Sequence, residues 1–475
     1  MRYHHPVNAK APYLLQKCGI FEFLRSPPLA DRFPNVRNHS DRIRLAHASA
    51  ERAVRDAQAP SSMRDMHDGV GRAYLLTVLV LSLVLRIGLI LNMGDQHHFK
   101  DTLQYDLSAR SILHGSGPDY SVPRAALYPA FMAFAYTWGG EGNFRAVRWL
   151  QLPLGVALVA LCGMLAYRMA GARAGRIALV ASALSPMLVF ATGLLYPTTL
   201  YACLLITAVL LTWEMASRPR VLPAVAIGLL LALVWLADPI AMVPAAALLA
   251  WLVWSAWNGG ARARLRVGLA CGVTLLAVVA WVKFSDSRFG GSGVSLDKAQ
   301  YVMHIARNDS TYNQGRRIRD TGPFRPTSMG GVVGRELQLL RTRPVDYLHD
   351  WSREFMHFFS PWPDRITSVN SYTRPGVRLL GIVYLLPILV LGAIGLVRGP
   401  ARAHARSLLL VPTLSTAFIY AFFITQARYR VPVEPYLIVL AAIGLTALLP
   451  GRVPWLGAEA AGHAAVVKSG RSESG

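Results

Sequence analysis

Trp149-Leu150-Gln151-Leu152-Pro153-Leu154-Gly155-Val156-Ala157-Leu158-Val159-Ala160-Leu161-Cys162-Gly163-Met164-Leu165-Ala166-Tyr167 runs without a charge between Arg145 and Arg148 on one side and Arg168, Arg173 and Arg176 on the other. A helix rises about 1.5 Å per residue, so such a stretch has the length to cross a hydrocarbon layer of about 30 Å. Similar stretches recur along the chain. Together they give ten spans, at 74–94, 145–167, 176–193, 195–214, 221–237, 240–257, 267–284, 376–397, 407–425 and 432–449. The expected fold is an all-α polytopic membrane protein of about 10–12 transmembrane helices. Composition agrees: 475 residues, 53% hydrophobic and 16% charged.

The net charge of +23 would suggest nucleic acid in a soluble protein. Here the cations sit between apolar spans and in the segment before Met63, so they set topology and no nucleic-acid partner is expected. Arginine outnumbers lysine 43 to 6, a composition that points to a GC-rich bacterial genome. Cys18, Cys162, Cys203 and Cys271 have neither disulfide-framework nor zinc spacing.

Every second short loop is basic. Arg168, Arg173 and Arg176 occupy one, Arg218 and Arg220 the next, then Arg262, Arg264 and Arg266, then Arg398, Arg402 and Arg406. These face the cytoplasm, and both termini follow them there. The long segments 95–144 and 285–375 then lie outside, in the periplasm of a bacterial inner membrane. Residues 1–62 are polar and aperiodic, and read equally as a cytoplasmic disordered tail or as sequence upstream of a start at Met63 or Met66. The transmembrane domain is expected over 63–450, with 451–475 as a cytoplasmic tail.

The first outer segment turns helical at Asp101, with Tyr105 and Ser108 on the same face, and ends at Gly115. Two readings of Asp101 stay open. It is either the helix cap that aspartate favours or a general base that takes a proton from an acceptor hydroxyl. Asp95, His97, His98 and Asp101 carry ligand-type side chains for a divalent cation, though adjacent histidines on a wet loop are more commonly only solvated. No metal or other cofactor is expected.

Near the far end, Ala427-Arg428-Tyr429-Arg430-Val431-Pro432-Val433-Glu434-Pro435 places two arginines on the side where arginine is otherwise scarce. A guanidinium held at a membrane surface matches phosphate oxygens, so a lipid phosphate is the expected partner, with Glu434 as the internal alternative. Arg86 and Asp238 fall within or at the ends of spans, where each needs a partner or water. Structural pairing is the favoured account of Arg86, with a place at the donor site as the minority reading. Lys283, Arg288 and His304 flank the second outer segment, as further phosphate contacts or as interfacial charges. That segment opens with the loop Gly290-Gly291-Ser292-Gly293 and carries an amphipathic helix from Pro344 to Phe359, its aromatic side expected against the outer leaflet.

Taken in order, Arg86, Asp101-x-x-x-Tyr105-x-x-x-Ala109, Gly115, Arg124-Ala125-Ala126-Leu127-Tyr128-Pro129, Gln151, Gly171 to Ala178 with Ser185-Pro186, and Arg428-Tyr429-Arg430-Val431-Pro432-x-x-Pro435 resemble the GT-C glycosyltransferases of the protein O-mannosyltransferase-like group. That group includes protein mannosyltransferases and the aminoarabinose transferase of lipid A. The resemblance implies transfer of a sugar from a polyprenyl-phosphate carrier to a lipid, glycan or protein hydroxyl, inverting the anomeric carbon. By it Asp101 is the base, and Arg428 or Arg430 holds the donor phosphate. Two departures stand out. Relatives often have Asp-Glu where this chain has Asp101-Thr102, and an acid opening the fourth span where it has Tyr196-Pro197-Thr198-Thr199. A second carboxylate would then come from Asp106 or Glu141, or be absent. The alternatives are a lipid or solute transporter, or a catalytically inactive scaffold of the same fold.

Overall fold

A computed structural model of the chain describes Met66 and residues 69–97, 100–118, 125–257, 260–289, 316–319, 329–361, 375–399, 401, 403–423 and 425–449. The expected tails 1–62 and 451–475, the Gly290–Gly293 loop, His98, Arg124, His304 and Arg402 lie outside these residues. Among those described, all regular structure is helical.

The first helices are α1 (Arg72–Met93), α2 (Lys100–Leu113), α3 (Leu127–Gly139), α4 (Phe144–Ala170), α5 (Ala172–Leu184), α6 (Pro186–Gly193), α7 (Thr198–Ser217) and α8 (Val221–Ala237). A 3₁₀ turn at Pro239–Ala241 leads into α9 (Met242–Ala256). Then follow α10 (Ala261–Phe289), α11 (Met329–Thr342), α12 (Pro344–Phe358), α13 (Pro375–Arg398) and α14 (Ala403–Tyr420). A second 3₁₀ turn, Ala427–Arg430, precedes α15 (Glu434–Leu448).

All ten stretches expected to span are helical, but they are not ten equal rods. Among the described residues, six helices are long and apolar enough to cross a membrane: α1, α4, α7, Pro239–Ala256, α10 and Leu379–Arg398. A seventh arises if α5 and α6 count as one span, bent by 52°. The bend is local chemistry. Pro186 has no N–H for the preceding turn, and Ser185 Oγ accepts from Leu188 N at 3.2 Å, so a new helix starts there. α8 and α15 are shorter, at 17 and 15 residues. At about 1.5 Å per residue α15 is well short of a bilayer, and its surroundings explain why that is tolerated. Every residue from Glu434 to Gly444 is buried, so protein rather than lipid is its solvent. Gly395 and Gly444 let α13 and α15 come into backbone contact, since an added Cβ would strike Leu440 O or Leu391 O respectively.

The two ends of the bundle differ in chemistry. At the basic end, Arg176 donates to the carbonyls of Val70 and Gly69, Arg168 pairs with Glu214 at 3.6 Å, Arg266 bonds Pro219 O, and Arg406 bonds Leu396 O. Basic loops thus double as ties between helix ends. At the other end α2 packs on α3 and α3 on α4, and α12 packs on α14.

Helix α12 is amphipathic, as expected, but its aromatic side meets protein as well as the exterior. Trp351 stands edge-on to Phe418 with centroids 5.3 Å apart, and Phe358 stacks on Tyr420 at 6.3 Å. Its acids anchor residues 316–318. Asp350 accepts from the amides of Arg317 and Ile318 at 2.9 Å, and Glu354 meets Arg316 Nε at 3.4 Å and Thr425 N at 3.2 Å.

Candidate functional site

Asp101 lies in the first turn of α2, where a carboxylate also suits the helix dipole. Its side chain is about one-third exposed, at 35%. Arg428 Nη2 stands 3.2 Å from Asp101 Oδ2, bringing together residues 327 positions apart in sequence. Tyr196, in the turn between α6 and α7, bridges the two. Its hydroxyl accepts from Arg428 Nη1 at 2.6 Å and donates to Asp101 Oδ2 at 3.3 Å. The guanidinium also lies over two rings, 4.7 Å from the centroid of Tyr196 and 5.2 Å from that of Tyr429. Tyr105, one helical turn beyond Asp101, sets its ring edge-on to Tyr196 at 5.9 Å and to Tyr128 at 5.2 Å. A carboxylate, a guanidinium and tyrosine rings therefore share one partly open site.

The electrostatics favour fixed charges. Burial works against the Arg428 charge, but Tyr429, Tyr196 and Asp101 outweigh it and raise the guanidinium pKa above its ordinary value. Burial pushes the Tyr196 phenol well up, so it keeps its proton and can serve as a donor to Asp101.

Arg430, two residues on, points elsewhere. Nη1 donates to Phe358 O at 3.0 Å and Ser360 O at 2.9 Å, and Nε lies 3.9 Å from Glu434 Oε2. It ties the 3₁₀ turn to the carboxyl end of α12, where orphan carbonyls call for a donor. Glu434, the internal partner considered for both arginines, takes Arg430 and also accepts from Ser185 Oγ at 2.6 Å. Tyr429 stacks on Tyr420 at 4.5 Å, within 10° of parallel, and the Tyr420 hydroxyl donates to Asp238 at 3.1 Å. Asp238 thus has its expected partner, and the backbone around Arg428 is held from both sides.

The two candidates for a second carboxylate converge on an arginine. Asp106 is five residues beyond Asp101, roughly 140° around the helix. It is buried against Arg110 Nε at 2.9 Å and accepts from the Tyr136 hydroxyl at 2.6 Å. Glu141 pairs with Arg110 Nη1 at 2.9 Å and lies 3.2 Å from His114. The Asp106 hydrogen bond raises the Arg110 pKa, while burial raises that of Tyr136.

Arg86 is fully buried in α1. It donates to Thr192 Oγ1 at 3.2 Å and to Ser82 Oγ at 2.5 Å, joining α1 to α6. Lys283 is exposed near the end of α10. Asp95 accepts from Arg145 N at 2.9 Å, and His97 packs edge-on against Phe144. Among the described residues no three His, Cys, Asp or Glu side chains gather as a metal site.

Sequence reading missed two participants. Tyr196 registered only as the residue standing where relatives have an acid. Arg148 carried no motif, yet it is fully buried and donates to Gly193 O and Gly94 O at 2.8 Å and to Gln96 O, tying the connection between α1 and α2 to the end of α6. Its signal was an arginine one turn inside an apolar span.

No protein-family model matches this sequence, and no curated protein matches it. Solved structures do. What they share with this chain is the helical fold. The chain is similar to ArnT from Cupriavidus metallidurans in the apo state, with a TM-score of 0.50 and 16% identity over 84% of this chain and 64% of that one. It is also similar to the Archaeoglobus fulgidus oligosaccharyltransferase in the apo form, with a TM-score of 0.51 and 14% identity over 83% of this chain and 52% of that one. The chain therefore spans less than two thirds of the length of either.

Proposed function

We propose that this chain is a membrane glycosyltransferase that takes a sugar from a polyprenyl-phosphate carrier and passes it to a hydroxyl of a cell-envelope lipid, glycan or protein. The observation that carries this reading is the meeting of Asp101 with Arg428 through Tyr196 at the non-basic end of the bundle. A base for a hydroxyl and a cation for a phosphate are the two groups such a transfer needs, and they lie within one side chain of each other. The GT-C architecture supports the reaction class.

In the proposed reaction the acceptor hydroxyl attacks the anomeric carbon opposite the carrier phosphate. A new carbon–oxygen bond forms as the bond to phosphate breaks, its electron pair leaving with undecaprenyl phosphate, while Asp101 takes the hydroxyl proton. Arg428 faces the charge that grows on the departing phosphate, where preorganised electrostatics contributes most. Arg430 positions the turn that carries Arg428. The tyrosines offer rings to the sugar and hydroxyls to its oxygens. The basic end faces the cytoplasm of a bacterial inner membrane with both termini, and the site faces the periplasm.

The test is lipid analysis of a deletion strain together with turnover by purified protein. Expected are accumulated polyprenyl-phospho-sugar, an envelope glycan lacking one residue, and release of undecaprenyl phosphate that stops with Asp101→Asn. Passage of substrate across the membrane with no covalent sugar product would favour the transporter reading instead.

A further inference from the structure

Arg428 donates Nη1 firmly to the Tyr196 hydroxyl at 2.6 Å, but its hold on Asp101 is looser. It meets Asp101 through a single Nη2–Oδ2 contact at 3.2 Å rather than the two-toothed fork a guanidinium can offer a carboxylate. Its Nε is buried and has no hydrogen-bond partner among the described residues. Nη2 also reaches the Tyr429 hydroxyl at a marginal 3.4 Å. The backbone beneath it, by contrast, is pinned by the Tyr429–Tyr420 stack and by Arg430 on Phe358 O and Ser360 O. Any rearrangement is therefore confined to the side chain, whose guanidinium lies over the Tyr196 and Tyr429 rings.

A carboxylate in contact with a guanidinium is a poor base, because accepting a proton means giving up the ion pair. The resting arrangement consequently holds Asp101 in its unreactive form. We propose that Arg428 is a donor-operated latch: it pairs with Asp101 until a lipid-linked phosphate offers it a fuller set of oxygens, and its transfer to the phosphate frees Asp101, still held by Tyr196, to act as base. This rests on the donor-phosphate reading of Arg428 and adds an order to it, donor before acceptor. The latch keeps the base inactive unless a sugar donor is in place, so acceptor alone is not deprotonated.

Linkage makes the latch measurable by binding alone. If phosphate and Asp101 compete for one guanidinium, removing the Asp101 charge must tighten phosphate binding, and that gain must depend on Arg428. The measurement is the affinity of the purified full chain for undecaprenyl phosphate in wild type, Asp101→Asn, Arg428→Gln and the double variant. Arg428→Met, with its folded fraction checked by melting, replaces Gln if the latter is unstable. Asp101→Asn is expected to bind about fivefold or more tighter in the wild-type background, with little gain when Arg428 is absent. An equal gain in both backgrounds, which would be mere repulsion between carboxylate and phosphate, overturns the latch and leaves the donor site standing. So does no gain at all. Failure of wild type to bind undecaprenyl phosphate, or wild-type affinity in Arg428→Gln, overturns the donor reading and the latch with it.

Discussion

Arg428 and Arg430 lie two residues apart and have opposite fates. In a 3₁₀ turn neighbours advance about 120°, so side chains two apart diverge, one toward α2 and the other toward α12. The consequences for substitution differ in kind. Arg428→Ala should weaken donor binding tenfold or more, consistent with losing about 1.5–3 kcal/mol of charged hydrogen bonding, and lysine should restore only part of it because it lacks the planar fork. Affinity for undecaprenyl phosphate is the check. Asp101→Asn should cut turnover by about two to four orders of magnitude with the fold intact, whereas Asp106→Asn, turned away against Arg110, should do far less. Product formation by the two purified variants, with melting curves alongside, separates them.

At the scale of elements, the end of α12, the 3₁₀ turn, the start of α15 and the α5–α6 break form one unit through Arg430, Glu434 and Ser185. Removing one member of a buried charged pair strands the other. Arg430→Met should therefore destabilise the protein by about 3 kcal/mol or more, and Glu434→Gln in the same chain should recover part of the loss. Thermal melting of the single and double variants reads this directly. A melting point for Arg430→Met equal to wild type would mean the tie is dispensable.

For the whole molecule, the proposed orientation, with the basic end toward the cytoplasm, makes a testable prediction. Ser116→Cys, exposed near the end of α2, should react in intact cells with a maleimide that cannot cross the inner membrane. Ser217→Cys, exposed at the basic end, should react only after permeabilisation. Reaction of both, or the reverse order, would place the site on the other face. The native Cys162 and Cys203 are buried and should contribute little background.

Hydropathy determined the helical membrane bundle and the approximate position of its apolar stretches, though not of α3 or α11, because these depend on local composition and on every peptide group finding a partner inside its own segment. The α8 bounds 221–237 were legible to the residue, since arginine closes one end and aspartate the other. The Ser185–Pro186 break, written in proline chemistry, was in the sequence but was read as continuous because the apolar run hides it. What only the tertiary structure decided is who meets whom. Nothing local says that Arg428 turns to Asp101, 327 residues away, while Arg430 turns to helix carbonyls, or that Asp106 and Glu141 share Arg110. Charge pairing between distant segments depends on helix rotation and packing, which hydrophobic periodicity leaves undetermined in helices that are apolar on nearly every face.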